Sequence, residues 1–435
     1  MAERGGVGGE ALSRPVFAGL TIGVSAAFLL CGYELVRSTS NTLFKEAYGK
    51  ERLPAVMALM PLGVVAALYV YGRLLSWLGP RKTLLATTLL SAAGIWACYA
   101  AIRAGIPAAT WPLYILREAY VVLLIEQYWS FLNSTLGASA AKKLNGPICG
   151  VASFGAVLGS TLVNQLSTRW GTPVMLVLGA ASCLPAAVFS EIAYRRCGEP
   201  KRDQATDGHR STQMGKAPGA SVGGYLGLGL FRAHPMLAFL LLTIVATQVL
   251  STVLDLSFQG LLQDAIPDRD AQNEYSGLFF LRLNAAAALS QFVLTPLMLR
   301  YAPLRPVHIA IPLVHVAACG WLLGEPTLEA AGVAYLLFKA LDYSLFRSAK
   351  EILYIPFSFD VRYRAKEVID VFGYRCGKGG TSLLITILQG AGAVFTVPIY
   401  AVTAMVSAGA WLAAILPAIQ AYRRVEGADA AKPGR

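Results

Sequence analysis

The chain has 435 residues, of which 55% are hydrophobic and only 14% are charged, and its mean hydropathy is +0.54. Soluble globular domains carry about 25% charged residues, so this composition excludes an ordinary soluble fold. A net charge of +12 would suggest nucleic acid as the partner of a soluble protein. Here much of the basic excess lies in short loops between apolar segments, which is the usual bias of membrane proteins, and we expect a lipid bilayer and no nucleic acid.

The apolar residues are collected into blocks of about 20, the length that a helix needs to cross a bilayer. The blocks predict an all-α polytopic membrane protein with twelve transmembrane helices. The predicted spans are 15–36, 54–78, 83–103, 110–136, 146–168, 172–194, 235–258, 276–300, 306–323, 327–348, 368–390 and 393–421.

The N-terminal segment is polar and leads directly into the first predicted span, so we expect no cleavable signal peptide. The seven cysteines are scattered and form no CxxC or His/Cys cluster, which predicts packing roles and neither disulfides nor a metal site. The four histidines lack metal-ligand spacing, and His315, in mid-span, is expected to be a packed neutral side chain. No GxSxG, HExxH or phosphate-loop motif occurs, so we predict no enzyme activity and no cofactor.

A polar segment rich in Gly and Ser separates the sixth and seventh predicted spans and indicates a flexible linker. The predicted organisation is an N-terminal six-helix half at 1–194, a cytoplasmic linker at 195–234, a C-terminal six-helix half at 235–422 and a cytoplasmic tail at 423–435. The distribution of Lys and Arg over the loops places both termini in the cytoplasm. Two six-helix halves about a central cleft are the arrangement of the major facilitator fold.

Charged residues lie in the apolar segments of the N-terminal half. Glu34 and Arg37 are three residues apart at the end of span one, so they share a helix face and can pair, and Lys45 follows. Span four contains Arg117, Glu118 and Glu126, followed by Tyr128, Trp129 and Phe131. These aromatic rings either stack on a base or form an interfacial belt and packing contacts. The charges of span one either line a site or are solvated.

Span five contains glycines at positions 146, 150, 155 and 159, and small residues let helices approach closely. We interpret these glycines as packing positions.

The C-terminal half has the densest charge, between Lys339 and Lys378. A charge at membrane depth costs several kcal/mol, so it usually faces a watery cavity or a partner. Basic and acidic residues at helical spacing either form ion pairs that hold a gate shut or line a cationic wall that binds an anionic solute. The candidates in this half are Asp255, Arg282, Arg347, Lys350, Asp370, Arg375 and Lys378.

The segment Ser344–Ser382 resembles the signature of the ATP/ADP antiporter family, the nucleotide transporters of plastids and intracellular bacteria. The matching elements are Lys350-Glu351, Tyr354-Ile355-Pro356, Lys366, Ile369-Asp370, Arg375 and Gly377-Lys378. Asn273-Glu274-Tyr275-Ser276 is similar to that family's entry to span eight, and Glu118 with Trp129, Phe131 and Asn133 is similar to its span four. The resemblance implies a multi-pass exchanger of ATP against ADP, or ADP plus phosphate, with charged membrane residues along its path.

Carried over by position, the resemblance implies roles for Lys45, Glu118, Asp255, Lys350, Asp370, Arg375 and Lys378 in the transport path. Together with the residues noted above, the predicted substrate-binding set is Arg37, Lys45, Glu118, Tyr128, Asp255, Arg282, Arg347, Lys350, Asp370, Arg375 and Lys378. No catalytic residue and no metal ligand is predicted. The expected protein is a monomeric secondary transporter in a bacterial inner membrane, and its substrate is a small anion, a nucleotide or a phosphorylated solute.

Two alternatives remain open at this stage. Arg outnumbers Lys about two to one, which suggests a GC-rich genome and therefore a free-living bacterium that carries another anionic solute. The second alternative is a non-transporting membrane scaffold on a transporter fold. Buried charge in both halves favours transport, because a scaffold has little reason to retain it.

Overall fold

The computed structural model describes the backbone of residues 7–136, 138–198, 231, 234–354, 369 and 373–430, and the side chains of this set except 7–15, 138–145 and 425–430. Within these residues the regular structure is helical. The predicted residues Ile355, Pro356, Lys366 and Asp370 lie outside the described part, as does most of the predicted linker.

Five long helices make up the N-terminal part of the chain. They are α1 (Val7–Tyr48), α2 (Leu53–Arg103), α3 (Thr110–Thr135), α4 (Ala138–Trp170) and α5 (Val174–Cys197). The C-terminal part contains α6 (Pro235–Ala265), α7 (Arg269–Leu289), α8 (Thr295–Tyr301), α9 (Leu304–Gly324), α10 (Leu328–Leu341), α11 (Arg347–Ile352), α12 (Tyr374–Gly390) and α13 (Val397–Ala430). Two π-helical turns, Ser290–Leu294 and Asp342–Phe346, join α7 to α8 and α10 to α11.

Nine helices of the described residues are long and apolar enough to cross a membrane. One of them, Lys50–Arg103, has 54 residues, and at 1.5 Å per residue its length of about 80 Å exceeds twice the thickness of the hydrocarbon core. It contains both the second and the third predicted spans. Gly79, with φ 77° and ψ 169°, breaks the helical path where the sequence predicts their connecting loop. The chain is thus a multi-pass membrane protein, and the count of twelve spans stays a prediction.

The described chain divides into two compact units. The first combines Met1–Gly49, Leu62–Lys216 and Asp268–Leu281, and the second combines Lys50–Pro61, Ala217–Pro267 and Arg282–Arg435. Helix α7 therefore contributes its first part to the first unit and its last part to the second. The two predicted six-helix halves stay a prediction.

Helix α1 is at the centre of the first unit, where it packs against α3, α4 and α5. Small residues make this packing close. A Cβ atom added to Gly159 of α4 would lie 2.8 Å from the Cα of Cys31 in α1, which is too close for two carbon atoms. Gly155 meets the backbone of Ala27 in the same way. The packing role predicted for these two glycines is confirmed, whereas Gly146 and Gly150 have no atom within 4 Å of an added Cβ.

Helix α6 has the corresponding position in the second unit, packed against α10, α12 and α13. Trp411 of α13 is fully buried, with its ring centroid 4.7 Å from that of Phe346 and 5.6 Å from that of His315. His315 is 1% exposed, so it is the packed side chain that the sequence predicts.

Candidate functional site

The end of α1 holds an ion pair in the first unit. Glu34 Oε2 lies 2.7 Å from Arg37 Nη2, which confirms the predicted pairing on one helix face. The Arg37 guanidinium carbon lies 3.6 Å from the ring centroid of Phe280, at the end of the α7 segment that belongs to this unit. Ion pair and ring together hold Arg37 in a defined position, with its side chain 14% exposed.

Arg117 of α3 lies beside this ion pair and, like Glu34, is not in the predicted substrate-binding set. Its Nη1 lies 3.0 Å from the carbonyl oxygen of Arg37, 2.9 Å from Ser40 Oγ and 2.7 Å from Asn41 Oδ1. Its guanidinium carbon lies 3.6 Å from the ring centroid of Tyr114. Arg117 is 3% exposed, so the acceptors of its buried Nη1 are protein atoms of α1.

Glu118 is next to Arg117 and belongs to the same cluster. Its Oε1 lies 3.6 Å from Arg117 Nε, and its side chain is 23% exposed. We call Glu34, Arg37, Arg117 and Glu118 the first-unit charge cluster. The run of small polar residues from Ser38 to Thr42 is the sequence signal that could have indicated acceptors for Arg117.

Two other predicted residues of this unit are buried. Lys45 is 1% exposed on α1, near its C-terminal end. Tyr128 is 4% exposed and belongs to the apolar core with Leu124 and Phe131. Its ring meets that of Trp129 edge to face, with centroids 5.7 Å apart. These contacts agree with the packing alternative for the span-four aromatics.

The first part of α7 is attached to α1 and α4 by polar contacts within the first unit. Asn273 is fully buried, and its Nδ2 lies 3.0 Å from Ser167 Oγ and 3.3 Å from Thr39 Oγ1. Thr42 Oγ1 donates to Asn273 Oδ1 at 3.4 Å. This side chain is the Asn of the Asn-Glu-Tyr-Ser segment, and its contacts give that segment a structural role.

In the second unit, Lys339 of α10 is held in an aromatic surrounding. Its Nζ donates to Ser251 Oγ of α6 at 2.9 Å. The same Nζ lies 5.2 to 5.7 Å from the ring centroids of Tyr343, Phe338 and Tyr335. Ring faces attract an ammonium through their π-electrons, so these three rings help to hold the buried Lys339 cation in place.

Further along this segment, Lys350 of α11 is 2% exposed, and its Nζ lies 5.6 Å from the ring centroid of Tyr374, the first residue of α12. Helix α12 packs closely on α6, because a Cβ at Gly377 would lie 2.7 Å from the Cβ of Gln248. The predicted residues Arg375 and Lys378 flank this contact, and both are half-buried.

We call Lys339, Lys350, Arg375 and Lys378 the second-unit cation cluster. Helix α6 connects its parts, since Ser251 contacts Lys339 and Gln248 contacts Gly377. Asp255 lies one turn after Ser251 and is half-buried. Arg282 and Arg347 are exposed. Asp370, the remaining predicted acid, lies outside the described residues.

Comparison with known proteins agrees with the family resemblance. Residues 328–422 match the family model described as TLC ATP/ADP transporter. ADP,ATP carrier protein 3 of Rickettsia felis is 33% identical over 88 residues, which are 20% of this chain and 18% of that protein. ADP,ATP carrier protein 1 of Chlamydia muridarum is 23% identical over 311 residues, covering 62% of this chain and 57% of that one. The matched regions thus span less than two thirds of these relatives.

Solved structures give the fold class. The nucleoside transporter NupG has a TM-score of 0.66 at 12% identity, covering 93% of this chain and 99% of its own. A D-xylose-proton symporter has a TM-score of 0.63 at 14% identity, covering 90% and 96%. The predicted major facilitator-like, all-helical fold class is confirmed, and so is the resemblance to the ATP/ADP antiporter family.

Proposed function

We propose that the protein is a secondary transporter that exchanges nucleotides, in ATP/ADP-type antiport, or a closely related phosphorylated anion. The observation that carries this proposal is the second-unit cation cluster, which lies in the segment that matches the ATP/ADP transporter family model. Lys339 and Lys350 are ammonium groups set against aromatic rings in otherwise apolar helices. Buried cations of this kind suit the phosphate groups of a nucleotide.

The chemistry of the cluster is binding rather than bond cleavage. Lys and Arg donate charge-assisted hydrogen bonds to phosphate oxygens, and such bonds are roughly twice as strong as neutral ones. We assign phosphate contact to Lys350, Arg375 and Lys378, and the family resemblance assigns Asp370 to the transport path. In alternating access, the site opens to one side of the membrane at a time. Exchange requires in addition that the carrier does not return with an empty site.

The first-unit charge cluster contributes by exchange of partners. Arg37 and Glu118 already have ion-pair partners in Glu34 and Arg117. A substrate that binds here therefore has to displace or extend these pairs. We propose that Arg37, Lys45 and Glu118 take part in this exchange of ion-pair partners. We also propose that the protein lies in the bacterial inner membrane, with both termini in the cytoplasm.

The test is exchange in proteoliposomes. Vesicles loaded with unlabelled ADP should take up labelled ATP and ADP in the presence of wild-type protein. Arg375→Ala and Lys378→Ala should each reduce uptake about 10- to 100-fold, because each removes a charge-assisted hydrogen bond worth about 1.5–3 kcal/mol.

Arg300→Ala is the matched control, since Arg300 is an exposed cation of the same unit outside the cluster. It should transport as the wild type does. Thermal unfolding of each purified variant separates loss of transport from loss of folded protein. If the wild-type protein takes up a phosphorylated solute but no nucleotide, that solute and not a nucleotide is the substrate. Unchanged exchange in both Arg375→Ala and Lys378→Ala would refute the assignment of the cluster.

A further inference from the structure

Asp342 is a buried acid that the proposed transport path has not used. It is the first residue of the π-helical turn Asp342–Phe346, between α10 and α11. The residue is 3% exposed, and in the described part of the chain its Oδ1 has no hydrogen-bond partner. A buried carboxylate without full hydrogen bonding is costly, so its retention in an apolar helix points to a function.

Among the described residues, the charged side chains that interact with Asp342 are all basic. They belong to Lys339, one turn earlier on the same helix face, and to Arg347 and Lys350. The Lys339 ammonium is oriented by Ser251 Oγ at 2.9 Å and by its aromatic neighbours. Asp342 therefore lowers the net positive charge of this group of side chains by one, while the Lys339 ammonium keeps its contacts with Ser251 and the rings.

The π-helical turn itself is supported from a neighbouring helix. Ser344 Oγ donates to the carbonyl oxygen of Ala340 at 2.6 Å and lies 2.6 Å from Ser290 Oγ, where the other π-helical turn begins. Isolated π-helical turns are frequent at functional sites, because the extra residue shifts the side chains that follow it. Here the first side chain of the turn is the acid.

We propose that Asp342 is a specificity-determining residue that sets how many phosphate charges the second-unit cation cluster accepts. With Asp342 in place, the cluster favours an anion with two phosphate groups over one with three. The inference deepens the proposed function and rests on its assignment of the cluster to phosphate binding. Removing the carboxylate raises the local positive charge by one and should favour the more highly charged anion.

The test uses inorganic pyrophosphate and tripolyphosphate as probes, which differ by one phosphate group and carry no nucleoside. Isothermal titration calorimetry on the purified full-length protein gives both dissociation constants. Asp342→Asn should raise the preference for tripolyphosphate over pyrophosphate about tenfold, because removing one negative charge favours the additional phosphate group through a partly screened medium. Glu329→Gln should leave the preference within twofold, because Glu329 is an exposed acid on the same helix α10.

Two further variants separate charge from structure. Lys339→Gln should shift the preference about tenfold the other way. The double variant Lys339→Gln with Asp342→Asn keeps the net charge and should return to the wild-type ratio. If Asp342→Asn does not fold, the Lys339→Gln and double variants still decide. If the ratio of the two dissociation constants does not change with the charge of the variants, the inference is overturned.

The outcome is also separate from that of the proposed function. Charge-dependent selection of the inorganic probes without nucleotide exchange in vesicles would refute nucleotide antiport and keep the role of Asp342. Nucleotide exchange with an unchanged probe ratio in Asp342→Asn would refute the role of Asp342 alone.

Discussion

The two units treat buried charge differently. In the first unit, Arg117 is hydrogen-bonded to three oxygen acceptors of α1, and Arg37 is paired with Glu34. In the second unit, Lys339 Nζ donates to Ser251 Oγ and lies near several ring faces, and Asp342 keeps an oxygen without a hydrogen-bond partner among the described residues. The three acceptors that α1 supplies to Arg117 Nη1 join α1 to α3 and thereby stabilise the fold. A cation that lies against aromatic rings can still attract an anionic ligand.

The largest effect should come from breaking the first-unit network. Arg117→Met leaves the Arg37 carbonyl, Ser40 and Asn41 without their common donor and Glu118 without its ion-pair partner. We expect a loss of about 3–5 kcal/mol in the free energy of unfolding, measured by thermal unfolding in detergent. Arg103→Met is the control, because Arg103 is an exposed cation at the end of α2. Equal melting temperatures for the two variants would show that Arg117 is not structural.

The close packing of α1 and α4 should be nearly as sensitive. Gly159→Ala forces a methyl group into the backbone of Cys31, and we expect a loss of about 3 kcal/mol. Gly150→Ala lies on the same helix with open space around its Cβ position, so it should be neutral. A difference of less than about 0.5 kcal/mol between the two, measured by thermal unfolding, would contradict the packing account.

Asn273→Ala should have an intermediate effect on the attachment of α7. It removes the amide that contacts Thr39, Thr42 and Ser167, and we expect a loss of about 2 kcal/mol. A cysteine reagent can then report whether Cys substituted at Ser276, buried one turn later, becomes more reactive. The control is Asn133→Ala, an exposed amide on α3. No gain in reactivity over the control would argue against a role of Asn273 in holding α7.

The smallest effect should be at the end of α5. Glu191 Oε2 accepts from Arg81 Nε at 3.0 Å, and Glu191 Oε1 accepts from Arg195 Nε at 2.8 Å. Arg195 is 68% exposed, so solvent screens much of this interaction. Glu191→Gln should cost about 0.2–1 kcal/mol in thermal unfolding, and the cost should fall as salt is added. A loss above about 2 kcal/mol would show that this ion pair stabilises the fold as strongly as a buried pair does.

Local sequence pattern was sufficient for the fold class and for the Glu34–Arg37 pair. Span length and an i,i+3 spacing are properties of one helix, so they can be read without tertiary structure. The partners of Arg117 lie on another helix about 80 residues away, and no spacing within α3 indicates them. In the same way, no local spacing indicates that Asp264 pairs with Lys50 or that Asp270 accepts from the Thr172 amide at 2.8 Å.

The surroundings of Asp342 could not be predicted from the sequence either. Asp342 lies in the charged stretch between Lys339 and Lys378, but it is not in the predicted substrate-binding set. Its unusual position follows from the π-helical turn and from the serine pair that supports it. The serine pair joins the two π-helical turns, and its members are 54 residues apart in the chain, so only the folded chain defines it.

Ligand-induced stabilisation separates most sharply the proposed phosphate contact of Arg375 in the second unit from the structural role of Asn273 in the first unit. The melting temperature is measured with and without ADP at about 100 times its dissociation constant, a concentration that stabilises a binding-competent protein by about 2.7 kcal/mol. The account predicts that Asn273→Ala melts lower than wild type and keeps the full ADP shift. Arg375→Ala should melt near wild type and lose the shift. Retention of the shift in Arg375→Ala, or its loss in Asn273→Ala, would contradict the account.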